Sequence, residues 1–224
     1  TIVLDAGHGG RESGAVSPEG LAEAPVNLDV VRQARSALER EGVTVSVTRT
    51  GDYQVSLATR AEIARSLGPR AFVSVHHNAE PDGPHEGPGT ETYYQIGSDD
   101  SKRLAGLIYE EVARALAAYQ ASWVGDTDAG AKYRPGPRGD YYAVLRLPAP
   151  VTSALAELAF ISNPSEADLL GRADVRAVEG GAVARGILRW LRTDDSGSGF
   201  TTPYPRVDPP GAPSGPGGCT DPPL

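Results

Sequence analysis

An α/β fold, one domain built on a mostly parallel six-stranded sheet, is what this sequence predicts, and three observations predict it. Short β-branched apolar runs alternate with apolar residues at helical spacing from Thr1 to His77. The resulting β-α-β-α-β order implies parallel strands joined by right-handed crossovers. Beyond His77 the alternation continues, for a total of six strands and four main helices around one sheet. At 224 residues, with no internal repeat, the chain is long enough for a single sizeable core.

The elements follow in order. Thr1-Ile2-Val3-Leu4 reads as the first strand, and Arg11 to Gly20 as a polar loop. A helix begins near Glu23, carries Val30, Val31, Ala34 and Leu38 on one face, and ends at Gly42. Val43 to Arg49 alternates as the second strand. Val55 to Leu67 is a second helix, with Leu57, Ala61, Ala64 and Leu67 facing inward, stopped by Gly68-Pro69. Ala71 to His77 is the third strand, Glu80 to Gly89 a Pro- and Gly-rich loop, and Thr90 to Ile96 the fourth strand. Asp99 or Ser101 caps a long helix through Leu104, Leu107, Ile108, Val112, Ala115 and Leu116. Gly125 to Asp140 reads as a loop, Tyr142 to Leu147 and Ser153 to Phe160 as the last two strands. Asn163-Pro164 turns the chain, and a final helix runs from about Asp174 to Arg192. The folded unit is expected over residues 1–193. Residues 194–224, rich in Ser, Gly and Pro, are expected to form a linker or tail whose removal leaves thermal stability nearly unchanged.

Composition narrows the function. Hydrophobic residues make up 39% and charged residues 22%, a balance that suits a soluble globular protein. A net charge of −8 argues against nucleic-acid binding, because nothing neutralises a phosphate backbone. No apolar run approaches the roughly 20 residues that span a bilayer. The first residue already opens a strand, so no signal peptide is expected in this chain, which reads as a trimmed mature fragment. The single cysteine, Cys219, excludes an internal disulfide and a thiolate metal cluster.

The chemistry concentrates where the strands end. In parallel α/β sheets, ligands bind beyond the carboxyl ends of the strands. His8 lies just past the first strand, in Asp5-Ala6-Gly7-His8-Gly9-Gly10, where glycines let the backbone fold tightly and the imidazole project. His76 ends the third strand, Glu157 lies near the end of the last, and Glu23 starts the first helix on the same side. Two neutral imidazoles and one carboxylate make a zinc site with a fourth position open for water. A second carboxylate beside that water would move protons. The strand's period of two chooses between the adjacent histidines. Ser74, His76 and Asn78 share one face, whereas Val73, Val75 and His77 share an apolar face that packs under helices. His76 is therefore the better ligand, with His77 the alternative. Asn27, one turn after Glu23, either orients that ligand or is a solvated helix polar. Glu157 sits in the apolar run Leu155-Ala156-Glu157-Leu158-Ala159-Phe160, so it is either an active acid or one half of a buried ion pair. His85 reads as an exposed loop side chain.

These stretches, taken together with Asn27-Leu28, Thr48-Arg49, Leu57, Arg60, Ser74-Val75-His76-His77-Asn78-Ala79, Gly89-Thr90-Glu91-Thr92-Tyr93-Tyr94, Gly130-Ala131-Lys132, Val144-Leu145-Arg146 and Glu157 to Asn163, resemble a known family. It is that of the zinc-dependent N-acetylmuramoyl-L-alanine amidases of bacterial cell walls, amidase type 3. The resemblance covers roughly residues 1 to 192, in order and with compatible spacing. It implies a mixed six-stranded sheet flanked by helices on both faces. It implies one zinc per chain held by His8, Glu23 and His76, with Glu157 as the catalytic acid/base. Asn27, Asn78 and Lys132 are the candidates for positioning the ligands or the substrate. The substrate it implies is the amide joining N-acetylmuramic acid to the L-alanine of the peptidoglycan stem peptide. That substrate places the protein outside the cytoplasm, as a secreted, wall-associated or periplasmic monomer from bacteria or their phage.

Some positions depart from the family pattern: Glu12 stands where aspartate is usual, Ala24 where lysine often follows the ligand glutamate, and Ala129 where arginine is frequent. None is a ligand, so they bear on substrate detail rather than on the reaction. Relatives switched by partner proteins carry a long helical insertion after the Ser-Val-His-x-Asn strand. Only Glu80 to Pro88 fills that place here, so an open site is expected. The alternative function is a non-catalytic peptidoglycan-binding or regulatory module on the same fold. Such a module would have lost a ligand or the catalytic glutamate, and all four residues are present. A zinc aminopeptidase would need a second metal and more acidic ligands.

Overall fold

The computed structural model describes residues 1–79, 84–125 and 129–202. Six strands form its main sheet: β1 (Ile2–Ala6), β2 (Val45–Val47), β3 (Ala71–Asn78), β4 (Glu91–Tyr94), β5 (Gly130–Lys132) and β6 (Ser153–Phe160). Their order across the sheet is β2-β1-β3-β6-β4-β5. β1 lies parallel to β2 and β3, and β3 parallel to β6. β4 runs antiparallel to β6, and β5 follows β4 in parallel. The sheet is thus mixed, with a reversed pair of strands at one edge.

Strand alternation sorts the side chains onto two faces. Ile2, Leu4, Val73, Val75, Ala154 and Ala156 meet the larger helical layer, made by α1 (Glu23–Arg40), α3 (Asp99–Leu116) and α6 (Ala173–Arg192). Val3, Phe72, Tyr93 and Leu155 meet Ala64 of α2 (Leu57–Leu67) and Val144 and Leu145 of α4 (Ala143–Arg146). Leu104, Leu107 and Ile108 of α3 have no exposed surface, and burial of each contributes about 1.5–3 kcal/mol. On α2 only Ala61 and Ala64 of the expected apolar stripe are buried. Leu57 and Leu67 lie at its two ends and are about half exposed, because the covering layer on this face is short.

The caps show how the sequence punctuates these helices. Ser56 Oγ accepts from the Thr59 amide, and Gly68 closes α2 in the left-handed conformation at φ 50°. Ser98, rather than Asp99 or Ser101, caps α3. Ser101 is buried instead, donating to the Ser153 carbonyl and accepting from the Gln95 amide. Asn163 is more than a turn residue: its Oδ1 caps α5 (Pro164–Leu170), with Pro164 in the first turn.

Two expected elements exchange places. Tyr142 to Leu147 is not a strand: α4 occupies Ala143–Arg146, a single turn followed closely by Pro148 and Pro150. The sixth strand is β5, inside the stretch read as a loop. Its pattern was too short to announce itself, and its pairing comes from Glu91, Thr92 and Tyr93 of β4. Parts of the Glu80–Gly89 and Gly125–Asp140 loops, and the chain from residue 203 including Cys219, lie outside the described residues.

The chain also does not leave the domain at Asp194. The segment from Thr193 to Thr202 runs along α3 and the free edge of β5. The Ala131 amide donates to the Gly199 carbonyl (2.8 Å), and the Thr201 amide to the Ala131 carbonyl (3.0 Å). Arg103 donates to the carbonyls of Trp190, Thr193 and Asp195. The Phe200 ring lies over Gly106, where a Cβ would sit 2.7 Å from it, with the Lys102 ammonium 4.7 Å from the ring centre. A strand edge that could pair with another chain is thereby covered. We expect truncation after Arg192 to lower the melting temperature. Two ladder bonds at about 0.5–1.5 kcal/mol each correspond to roughly 3–10 °C for a chain of this size. An unchanged calorimetric transition would show that the segment contributes nothing.

Candidate metal centre

The site begins with the turn after β1. Residues 7–10 are Gly-His-Gly-Gly, and His8 is the only non-glycine with positive φ (60°) among the described residues. Such a conformation costs of order 1 kcal/mol or more and persists only where the surroundings impose it. Two buried guanidiniums impose it. Arg49 donates to the carbonyls of Ala6 (2.9 Å), Gly7 (2.9 Å), Ala24 (2.7 Å) and Gly51 (3.0 Å). Arg60 donates to the carbonyls of Val55 (3.0 Å), Ala6 (2.7 Å) and His8 (2.9 Å), and pairs with Asp5. Asp5 has no exposed surface and also accepts from Thr48 Oγ1 (2.5 Å) and Ser74 Oγ (2.6 Å). Burial pushes the Asp5 pKa up. The Arg60 charge and the three hydrogen bonds outweigh it, so the carboxyl is held below its ordinary value.

Glu23 is placed by a loop folded over the start of α1. The first helical amides have no side-chain cap: Glu23 N donates to the Ala15 carbonyl and Ala24 N to the Ser13 carbonyl, both at 2.9 Å. In return Glu23 Oε2 accepts from the Ala15 amide at 2.9 Å. Its Oε1 accepts from the His77 amide (3.1 Å) and from Asn27 Nδ2 (3.0 Å). The two histidines close on the same carboxylate. His8 Nε2 lies 3.2 Å from Oε2 and His76 Nδ1 3.0 Å from Oε1, with the rings edge to face at 4.9 Å. Donor atoms of His8, Glu23 and His76 all lie within 4.8 Å of one another, a spacing that one metal ion can bridge. Burial alone would raise the Glu23 pKa, but the hydrogen bonds from His76 and His8 hold it well below the ordinary carboxyl range. Burial also lowers the His76 pKa against the opposing pull of Glu23, which favours the neutral imidazole, the form able to bind a metal.

Glycine makes the room. A Cβ on Gly7 would lie 2.1 Å from the His76 ring, and one on Gly14 would lie 2.4 Å from Glu23 Oε2. His76 packs directly on bare backbone.

Glu157 pairs across the ladder with His76 on one side and Glu91 on the other, so it shares the face of His76 on the adjoining strand. It is partly exposed, and the register shifts between it and Phe160. Such a bulge commonly re-aims a side chain next to an active site. Tyr142 stands close enough to feel its charge: burial first, and then Glu157, push the tyrosine pKa up to about 12.

Of the other candidates, Asn27 touches Glu23. Asn78 donates to Glu91, and Lys132 is fully buried with its Nζ 2.5 Å from Glu91 Oε1, so both meet β4 rather than the three clustered residues. His77 points to the opposite face, where its ring meets Asn27 and Glu179. His85 is exposed, its Nδ1 accepting from the Gly87 amide. The structural roles of Arg49 and Arg60 escaped sequence reasoning. Arginines beside the apolar positions of a strand end and a helix were the available signal, but their acceptors are carbonyls far away in the chain.

Comparison with known proteins agrees with this architecture. A model of the N-acetylmuramoyl-L-alanine amidases matches residues 2–189. Protein YqiI of Bacillus subtilis is 34% identical over 189 residues, 84% of this chain and 82% of that one. The N-acetylmuramoyl-L-alanine amidase LytC of the same bacterium is 33% identical over 86% of this chain, which spans only 36% of LytC. The solved structure of the amidase AmiC2 of Nostoc punctiforme superposes with a TM-score of 0.72 at 29% identity, covering 85% of this chain and 96% of that one. The strand-end cluster of His8, Glu23 and His76 thus stands on a fold and a sequence shared along nearly the whole catalytic length, and the chain belongs to the N-acetylmuramoyl-L-alanine amidase family.

Proposed function

We propose that the protein is a zinc-dependent peptidoglycan amidase that cleaves the bond between N-acetylmuramic acid and the L-alanine of the stem peptide. The observation that carries this reading is the convergence of the His8, Glu23 and His76 donor atoms beside Glu157 on the adjoining strand. Two imidazoles and a carboxylate are the donor set of an open catalytic zinc site. The fit is supported by the cradle at Gly7, by the lowered pKa of Glu23 and by that of His76, which present an anionic oxygen and, at His76, a neutral nitrogen. His8 would ligate through Nε2, His76 through Nδ1 and Glu23 through its carboxylate. When bound, zinc supplies a Lewis acid that brings the pKa of a water toward roughly 7 and polarises the amide carbonyl.

The chain's own residues do the rest. Asn27 Nδ2 and the His77 and Ala15 amides hold the Glu23 carboxylate in place. Glu157 takes the proton of the attacking water and returns it to the leaving alanine nitrogen. Lys132 offsets Glu91, so that Glu157 does not face a second uncompensated carboxylate across the ladder. Work on the cell wall places the protein outside the cytoplasm. No helix among the described residues is long and apolar enough to cross a membrane. Between β3 and β4 the described residues hold only a two-residue ladder, Pro84–His85 with Trp123–Val124, and cleavage without an activator is part of the proposal. Mass spectrometry of muropeptides digested by the zinc-loaded protein tests the reading: free stem peptides with an N-terminal alanine support it, and intact muropeptides oppose it.

We expect one zinc per chain by metal analysis, falling to near zero in His8→Ala and in His76→Ala, while His85→Ala keeps it. Retention of zinc by both His8→Ala and His76→Ala would move the site elsewhere. For Glu157→Gln we expect normal folding and zinc content with turnover reduced about 10²–10⁴-fold. A variant that melts early yet turns over normally would instead make Glu157 one half of a structural ion pair.

A further inference from the structure

Behind the clustered ligands a buried polar chain runs on from Asn27 to the His77 ring and Glu179, two groups that the proposed reaction does not use. Glu179 sits on α6 with no exposed surface. Its Oε1 lies 3.4 Å from His77 Nε2, and its Oε2 has no hydrogen-bond partner among the described residues. His77 Nδ1 lies 2.7 Å from Asn27 Oδ1, and Asn27 Nδ2 donates to Glu23 Oε1 at 3.0 Å and to the Gly7 carbonyl at 3.3 Å. Glu179 is brought within reach by Gly180, where a Cβ would stand 2.7 Å from the Val30 carbonyl, so α6 rides directly on α1. A carboxyl kept in the core for one hydrogen bond, with its other oxygen bare, is poorly explained by packing alone.

The donors and acceptors fix the protons. Asn27 Nδ2 faces two oxygens that can only accept, so its Oδ1 must face His77. His77 Nδ1 then carries the hydrogen. That leaves His77 Nε2 opposite the Glu179 carboxyl, and one proton must lie between them, since a bare nitrogen and a bare carboxylate would repel. Glu179 therefore holds the imidazole in one tautomer and one orientation. The imidazole holds the Asn27 amide, and the amide holds Glu23 Oε1 and the backbone of Gly7, on which His76 packs.

We propose that Glu179 is a positioning residue for the metal centre, acting through His77 and Asn27 on the ligand Glu23. The inference rests on the zinc reading above. Partners that orient metal ligands typically change metal affinity 10–100-fold when lost, and this chain extends that control to a second helix, α6.

The test measures zinc dissociation constants by chelator competition on the full chain, with apo and zinc-loaded melting temperatures on the same samples. Glu179→Leu should bind zinc about 10–100-fold more weakly, so its melting temperature should rise less on zinc loading than that of wild type. Glu179→Gln should restore affinity to within about threefold, because its amide can donate to His77 Nε2 and preserve the tautomer. Nitrogen NMR of the wild-type imidazole, which needs no variant to fold, should show His77 with hydrogen on Nδ1. Wild type binding zinc tightly with unaltered affinity in Glu179→Leu overturns the relay alone, as does a bare His77 Nδ1. Wild type that takes up no zinc overturns the metal reading and the relay with it.

Discussion

Two guanidiniums aimed at consecutive backbone carbonyls are the constraint on which the site depends. Arg49 lies in the loop after β2 and Arg60 on α2, yet between them they bind the carbonyls of Ala6, Gly7 and His8. Arg60 is in turn paired with Asp5, so the charge that fixes the turn is neutralised one residue earlier in the same strand. Arginine suits this use because its planar fork presents several donors at fixed angles and stays charged when buried. A lysine would offer one point of attachment and would tend to lose its charge. The outcome is a turn in which two buried side chains hold the backbone of His8 at positive φ.

From that fixed turn the remaining geometry follows. β1 and β3 are neighbours, so His8 and His76 emerge side by side. α1 starts over the same strand ends, and the loop at Ser13–Ala15 trades hydrogen bonds with its first turn to set Glu23 between them. β3 and β6 are neighbours on the other side, so Glu157 arrives opposite His76. The proposed ligands and the proposed proton carrier are all delivered by strand adjacency and one helix start, which are among the most rigid parts of an α/β domain.

Much of this was legible in the sequence, and the reasons are local. A period of two separated His76 from His77, and the glycines around His8 announced a turn where a strand should end. The apolar run around Glu157 singled that residue out, and the structure sets it opposite His76 on the adjoining strand. What was not legible depends on distant partners. Gly130–Lys132 is too short to show a period, and it becomes a strand because β4 offers it an edge. Tyr142 to Leu147 has the composition of a strand but no neighbour to pair with, so it coils into one turn over Tyr93 and Leu155. Phe200 carries no signal of docking, because its seat is built by Gly106 far upstream, while Gly130 lies against its neighbours Gly199 and Thr201. His77 read as packing and is packed, but its two ring nitrogens face Asn27 and Glu179, a polar thread inside an apolar layer.

The bare backbone at Gly7 and Gly14 has a consequence for how such a chain can vary. In most cores a glycine-to-alanine exchange is among the gentlest changes available. At these two positions the added methyl would overlap the His76 ring or the Glu23 carboxylate at 2.1 and 2.4 Å. The smallest steps in sequence space are therefore among the most damaging for this site. Divergence in such a protein is blocked, one methyl at a time, at its centre.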